Sequence, residues 1–304
     1  MSDFFSVGWS WYIGGATVLG LLACLALLVI AARRRVMAGD NTTGHVWDED
    51  LRELNNPLPR WWMWLFVLTV VFSAVYLALY PGLGSAPGRL AWTSAAQHAD
   101  EQARAAADAA PLFARFAATP AAALARDPQA MAIGERLFAN NCATCHGADA
   151  HGSKGFPNLS DSDWLWGGTP ERIEETITQG RVGVMPPMAA AVGNADDVRN
   201  VANYVLSLSG SPHNNLAAEL GRSKFTACAA CHGRDGKGNP ALGVPNLADD
   251  VWLHGWGEAA VIAMVNNGKT NVMPAHGERL SAAQIHVLAA YVWGLSNRPA
   301  GVNP

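Results

Sequence analysis

Two short cysteine–histidine motifs are the part of this sequence that could carry chemistry. They are Cys142-Ala143-Thr144-Cys145-His146 and Cys228-Ala229-Ala230-Cys231-His232. In a C-x-x-C-H motif the two thiols can bond a porphyrin covalently, and the histidine that follows can be the proximal ligand of its iron. A zinc site is the alternative, but neither motif is followed by a second ligand pair at zinc-finger spacing. The motifs therefore predict two covalently bound heme c groups, attached through Cys142, Cys145, Cys228 and Cys231 and ligated by His146 and His232.

A heme iron that only transfers electrons needs a second axial ligand, and a Met-Pro pair follows each motif. The pairs are Met185-Pro186 and Met273-Pro274, which stand 88 positions apart. Met188 is an alternative to Met185, whereas Met264 is expected to lie in the middle of a helix. We assume that each methionine serves the heme of its own half of the chain. A crossed arrangement, in which each methionine reaches the other heme, stays open.

The two motifs lie within an internal repeat of 86 to 88 residues. Matching pairs include Phe138 and Phe225, Pro157 and Pro245, Trp164 and Trp252, and Tyr204 and Tyr291. Each copy predicts three helices, over 130–139, 170–179 and 196–209 in the first copy and over 216–226, 257–267 and 281–295 in the second. Three helices around a porphyrin resemble the class I cytochrome c fold. We therefore expect two tandem heme domains, 128–210 and 211–304.

The resemblance to cytochromes c suggests roles for four residues outside the motifs. Pro157 and Pro245 follow His146 and His232 at the position where cytochromes c place a proline whose carbonyl accepts the histidine Nδ1–H. The indole N–H groups of Trp164 and Trp252 are expected either to donate to heme propionates or only to pack. The remaining histidines of this region are expected to be surface residues or to have no role: His98, His151, His213, His254, His276 and His286.

The N-terminal part of the chain predicts a membrane hairpin, residues 1–82. The stretches 11–32 and 61–80 carry no charge and are each long enough to cross a bilayer. The loop between them, 33–60, holds Arg33, Arg34, Arg35, Arg52 and Arg60. By the positive-inside rule this loop is cytoplasmic, so both ends of the chain face the periplasm, where heme c is attached. A connector, 83–127, is expected to contain one exposed helix over about 94–110.

The composition agrees with a membrane protein that does not bind nucleic acid. Half of the 304 residues are hydrophobic, 15% are charged, and the formal net charge is −4. A bacterial inner-membrane location follows from the two spans and the side of heme attachment. The predicted fold class is all-α: a two-helix transmembrane hairpin followed by two class I cytochrome c domains.

The loop sequence TTGHVWDEDLRELNNPLPRWW, residues 42–62, resembles the N-terminal signature of the CcoP (FixP) family. This family is the di-heme subunit III of cbb3-type cytochrome c oxidases, which reduce oxygen and pump protons. The resemblance implies that electrons pass from a donor cytochrome c through two hemes toward a heme–copper catalytic subunit. It also implies a mono-heme cytochrome c subunit as a partner. A free-standing di-heme cytochrome and a di-heme peroxidase are the alternatives.

Overall fold

The computed structural model describes residues 6–33 and 39–297. It divides into two compact units, Met1–Asp108 and Ala109–Pro304. Arg34 and Arg35, which contribute to the predicted cytoplasmic charge, lie outside the described residues.

The first unit contains two long apolar helices, α1 (Val7–Ala32) and α2 (Arg60–Leu79). They have 26 and 20 residues, so they extend about 39 Å and 30 Å at 1.5 Å per residue. Both have the length and composition of a membrane span, and none of their described residues is buried within the protein. Their bounds agree with the predicted spans to within a few residues.

The loop between these helices forms a β-hairpin, so the all-α prediction omits a structural element here. Strand β1 (Thr42–Trp47) pairs antiparallel with β2 (Leu51–Leu54), and Trp47 lies opposite Leu51. Strand β1 is rich in β-branched and aromatic residues, which favour a strand. Asp48 and Glu49, the first two of the three residues between the strands, both have positive φ.

The second unit is mostly helical. Helix α3 (Ser94–Ala117) leads into it and continues through Pro111 for seven residues beyond the predicted end. The other helices are α4 (Ala121–Leu124), α5 (Pro128–Asn141), α6 (Ala143–His146), α7 (Pro170–Gln179), α8 (Ala189–Val192), α9 (Ala195–Leu208), α10 (Asn215–Arg222), α11 (Thr226–His232), α12 (Glu258–Asn267) and α13 (Ala282–Asn297). The predicted helix 216–226 is therefore two helices, α10 and the start of α11.

Local capping explains where the main helices of the first repeat begin. The Asp127 carboxylate accepts hydrogen bonds from the first amides of α5, and Pro128 occupies the first helical position. Thr169 caps α7 in the same way, again with a proline next. Asn194 and Asp197 form a reciprocal capping box at the start of α9.

The last helix of each repeat packs in the core of the other repeat. Helix α13, from the second repeat, packs against α5 and α7 of the first, while α9 packs against α10 and α12 of the second. The first core consists of Phe138, Ala150, Ile173, Ile177, Leu280, Ile285, Leu288, Ala289, Tyr291 and Val292. The second core consists of Val192, Val198, Val201, Ala202, Val205, Leu206, Phe225, Val261 and Val265. The predicted domains 128–210 and 211–304 thus delimit sequence repeats, but each packed core draws on both.

The short connection between α9 and α10 gives a physical reason for this exchange. Only six residues separate Leu208 from Asn215, and helices joined by so short a loop become neighbours. The Asn214 amide donates to the side-chain oxygen of Asn203 on α9, which fixes the connection. Because α9 packs beside α10, the place against α5 is filled by the similar helix α13.

The two segments that end in the Met-Pro pairs lie side by side as a two-stranded antiparallel ribbon, which the all-α prediction also omits. Strand β3 (Arg181–Met185) pairs with β4 (Lys269–Met273), so that Arg181 lies opposite Met273 and Met185 opposite Lys269. Gly180 and Gly268 precede the strands with φ of +71° and +64°. A Cβ at Gly180 would lie 2.4 Å from the Met273 carbonyl oxygen, and one at Gly268 would lie 2.4 Å from that of Met185. Both glycines are therefore required by backbone conformation and by the close approach of the crossing chain.

Candidate heme-binding sites

The two motif histidines are buried and held in the same way. His146, at the end of α6, has its Nδ1 2.9 Å from the carbonyl oxygen of Pro157. His232, at the end of α11, has its Nδ1 3.0 Å from the carbonyl oxygen of Pro245. A carbonyl only accepts, so each Nδ1 carries the proton and each Nε2 keeps the lone pair that a metal needs. Burial lowers the pKa of both histidines, although the bond to the proline carbonyl opposes it. Both rings are thus neutral and oriented.

The four motif cysteines lie one helical turn apart in pairs beside these histidines. Cys142 and Cys228 pack against the first and second cores, whereas Cys145 and Cys231 are exposed. Burial raises the pKa of Cys142 to about 11 and also raises that of Cys228. Within the part of the chain that the structure describes, no group of three or more His, Cys, Asp or Glu side chains could hold a bare metal ion.

The two predicted methionine ligands lie on opposite strands of the crossing ribbon. Met273, of the second repeat, packs against the first core together with Cys142 and Ala143. Met185 is followed by a segment that lies against the end of α12 in the second repeat, where the Met188 amide donates to the Val265 carbonyl. The side chain of Met188 itself packs against the second core with Cys228. Met273 thus packs against the core that also holds Cys142, whereas Met188 packs against the core that holds Cys228.

The paired tryptophans occupy matching places in the two cores. Trp164 packs against the first core and Trp252 against the second. The Trp252 Nε1 is buried and has no acceptor among the described residues. Burial of an unpaired N–H is costly, so an acceptor from a bound group is expected at this position. A heme carboxylate beside the second motif fits this requirement.

Two histidines predicted to lie at the surface or to have no role are in fact packed inside the second unit. His276 is only 7% exposed, and its backbone amide donates to the Ile177 carbonyl on α7. His286 on α13 is half-buried and contacts the Glu174 carboxylate and the Thr119 carbonyl. The repeat contained a signal for the burial of His276, because this residue stands 88 positions after Met188, whose side chain packs against the second core. His254 is half-buried beside Asn271, while His98 and His151 are exposed as predicted.

Comparison with known proteins finds relatives that match most of the chain. Residues 39–87 match the N-terminal domain of cytochrome oxidase-cbb3, FixP, and residues 129–205 and 217–292 match cytochrome c oxidase, cbb3-type, subunit III. The chain is 67% identical over 296 residues to the cbb3-type cytochrome c oxidase subunit CcoP of Rubrivivax gelatinosus, covering 97% of each chain. It is 43% identical over 276 residues to the FixP subunit of Azorhizobium caulinodans, covering 84% of this chain and 92% of that one. It is 40% identical over 278 residues to FixP of Bradyrhizobium sp. (strain ORS 278), covering 85% and 96%.

Proposed function

The chain belongs to the CcoP (FixP) family, subunit III of cbb3-type cytochrome c oxidases, and from this membership we propose how its residues serve electron transfer. It is an electron-transfer subunit of the oxidase complex, an oxidoreductase that acts in respiration. The family decides against a free-standing cytochrome and against a peroxidase.

We propose that the chain binds two heme c groups, one at each motif. When bound, heme c supplies an iron that takes up and releases one electron. Cys142 and Cys145 would hold the first heme, with His146 as proximal ligand, while Cys228, Cys231 and His232 would hold the second. Two observations support this fit: the oriented Nε2 of each buried histidine and the unpaired Trp252 N–H.

We further propose that the distal ligands are exchanged: Met273 for the first heme and Met185 for the second. The observation that carries this proposal is the packing of Met273 with Cys142 in the first core. The pairing of β3 with β4 supports it. The two strands are antiparallel with Arg181 opposite Met273, so each strand ends beside the start of the other. Met188 remains the alternative to Met185 at the second site, since its side chain packs beside Cys228. Met185 and Met273 would then be held by two strands that pair with each other, β3 and β4.

Chains that can attach only one heme test the exchange. In a chain with Cys228 and Cys231 replaced by alanine, only the first heme is attached. There, Met273→Ala should abolish the methionine-to-iron charge-transfer band and give a high-spin heme, whereas Met185→Ala should leave the band intact. The reverse result would contradict the exchange and restore the uncrossed arrangement. Met188→Leu in the complementary chain, which attaches only the second heme, decides between Met185 and Met188.

For the whole chain we propose an inner-membrane protein with two spans, both termini and both heme sites periplasmic, and the 33–60 loop cytoplasmic. The support is the two apolar helices α1 and α2, and the arginines of the loop. The proposed partners are the heme–copper catalytic subunit, a mono-heme cytochrome c subunit, a donor cytochrome c and the lipid bilayer.

Purification in mild detergent tests the assembly. A heme–copper subunit and a second heme-staining subunit should co-purify with the chain, and the chain should retain two hemes per polypeptide in acidified acetone. Isolation of a lone cytochrome would contradict the proposed partners. Loss of the pigment into the solvent would contradict covalent attachment instead, so the two failures are distinguishable.

A further inference from the structure

Arg181, a mostly buried cation of the second unit, has one N–H group with no hydrogen-bond acceptor among the described residues. Arg181 begins strand β3, and its side chain is 13% exposed. Its Nε donates to the Thr176 hydroxyl over 2.9 Å, and its Nη1 donates to the Glu175 carboxylate over 2.9 Å. Its Nη2 is buried and has no acceptor among the described residues. Leaving a charged donor unpaired in the interior costs more than leaving a neutral one, so an acceptor is expected here.

The position of Arg181 limits where this acceptor can come from. Its backbone lies opposite Met273, whose side chain packs in the first core beside Cys142. Its guanidinium lies over the ring of Trp166, 5.0 Å from the ring centroid. Trp166 stands two residues after Trp164, which packs against the first core. The guanidinium is therefore fixed on three sides, by Thr176, Glu175 and Trp166, on the strand that lies beside Met273.

The missing acceptor has the chemistry of a carboxylate. A guanidinium pairs best with carboxylate or phosphate groups, which can take two of its donors. The propionates are the anionic groups that heme c would bring to this site. We propose that Arg181 is a positioning residue of the first heme site: its Nη2 donates to a heme propionate, and its charge raises the midpoint potential of that heme. This inference rests on the proposed heme at the first motif.

The second repeat lacks the same device. The residue 88 positions later is Lys269, which is exposed. An exposed ammonium is screened by water and salt, so it affects a nearby heme much less than a buried guanidinium does. Both motifs have the same histidine–proline pair. Arg181 therefore makes the two hemes electrostatically different and favours the ferrous state at the first one.

The test is a spectroelectrochemical titration of the purified full chain, with both hemes attached. Arg181→Gln should lower one of the two midpoint potentials, because a positive charge near the iron stabilises its ferrous state. The expected change is about tenfold in the ferric-to-ferrous equilibrium, or about 59 mV for a one-electron couple. Arg181→Lys should recover part of the shift. Glu175→Gln should move the same potential in the opposite direction, because it removes the counter-charge of Arg181.

Two matched controls separate this role from a merely structural one. Arg172 shares the Glu175 carboxylate but is 45% exposed on α7, and Lys269 is the repeat counterpart. Arg172→Gln and Lys269→Gln should each change the potentials by clearly less than Arg181→Gln. If Arg181→Gln and Glu175→Gln leave both potentials unchanged while both heme bands are intact, the proposal is wrong and Nη2 binds only water. If the Gln variant does not assemble, the Lys and Glu175 variants decide by the same criterion. If the first heme is absent from the unmodified chain, the proposed function has failed instead.

Discussion

The exchange of helices predicts which aromatic pairs are energetically coupled. Phe138 of the first repeat contacts Tyr291 of the second, with ring centroids 5.7 Å apart and an interplanar angle of 46°. Phe225 contacts Tyr204 in the same way, with centroids 5.2 Å apart. Aromatic pairs at such distances contribute about 0.5–1.5 kcal/mol beyond the apolar area they bury. If each repeat instead packed on itself, Phe138 would contact Tyr204.

A double-mutant cycle distinguishes the two arrangements. Phe138→Leu and Tyr291→Leu should each lower the free energy of unfolding by about 1–3 kcal/mol, since both side chains lie in the first core. The double variant should be less destabilised than the sum of the two by about 1 kcal/mol. The pair Phe138→Leu with Tyr204→Leu is the matched control. Its effects should add to within about 0.5 kcal/mol, because the two rings belong to different cores.

Urea unfolding of the detergent-solubilised full chain provides the measurement, followed by far-UV circular dichroism and by the methionine-to-iron band. Both signals should give the same coupling energies. Coupling between Phe138 and Tyr204, with none between Phe138 and Tyr291, would refute the exchange. It would also refute the exchanged methionine ligands, because Met273 of strand β4 and the following helix α13 pack in the same core.

Single substitutions at the crossing, at the connector and at the second site test other contacts. Gly180→Ala should cost about 1–3 kcal/mol and weaken methionine ligation, because its φ is positive and its Cβ would meet the Met273 backbone; Gly183→Ala, with no described atom within 4 Å of its Cβ, should change the free energy of unfolding by less than about 0.5 kcal/mol. Burial lowers the pKa of His286, but hydrogen bonds to Thr119 and Glu174 raise it by more, so the net change is upward. The protonated ring should therefore stabilise the fold fully at about pH 6, and this stabilisation should be lost as the pH rises through the folded-state pKa. The destabilisation caused by His286→Gln, measured by thermal unfolding, should therefore shrink toward about pH 9, and a pH-independent cost would contradict this. Trp252→Phe should move the pH dependence of the second heme's potential to higher pH, because an ionised propionate loses a donor; an unchanged profile would mean that the indole only packs.

The elements of the fold were largely predictable because they depend on local patterns. The uncharged runs predicted the two long helices, and the repeat predicted matching helices with bounds close to those observed. The strands were missed for different reasons. Strands β1 and β2 form within a loop whose charges suggested only a polar connection. Strands β3 and β4 exist because two segments 88 residues apart lie side by side, which no local pattern records. His276 was misplaced for the same reason, since its burial depends on α7 of the other repeat.

The residues proposed to hold heme could be identified from the sequence itself, because those of each motif lie within five consecutive positions of the chain. The spacing of Cys142, Cys145 and His146 is set by covalent geometry and one turn of helix, and it would be the same in either arrangement of the repeats. Which helix closes each core was decided only by the tertiary structure. Helices α9 and α13 share matching buried positions, Val198 with Ile285, Val201 with Leu288 and Val205 with Val292, so these positions alone do not decide which core each helix enters. The six-residue connection after Leu208 favours α9 beside α10, and the pairing of Arg181 with Met273 accompanies the packing of Met273 against the first core.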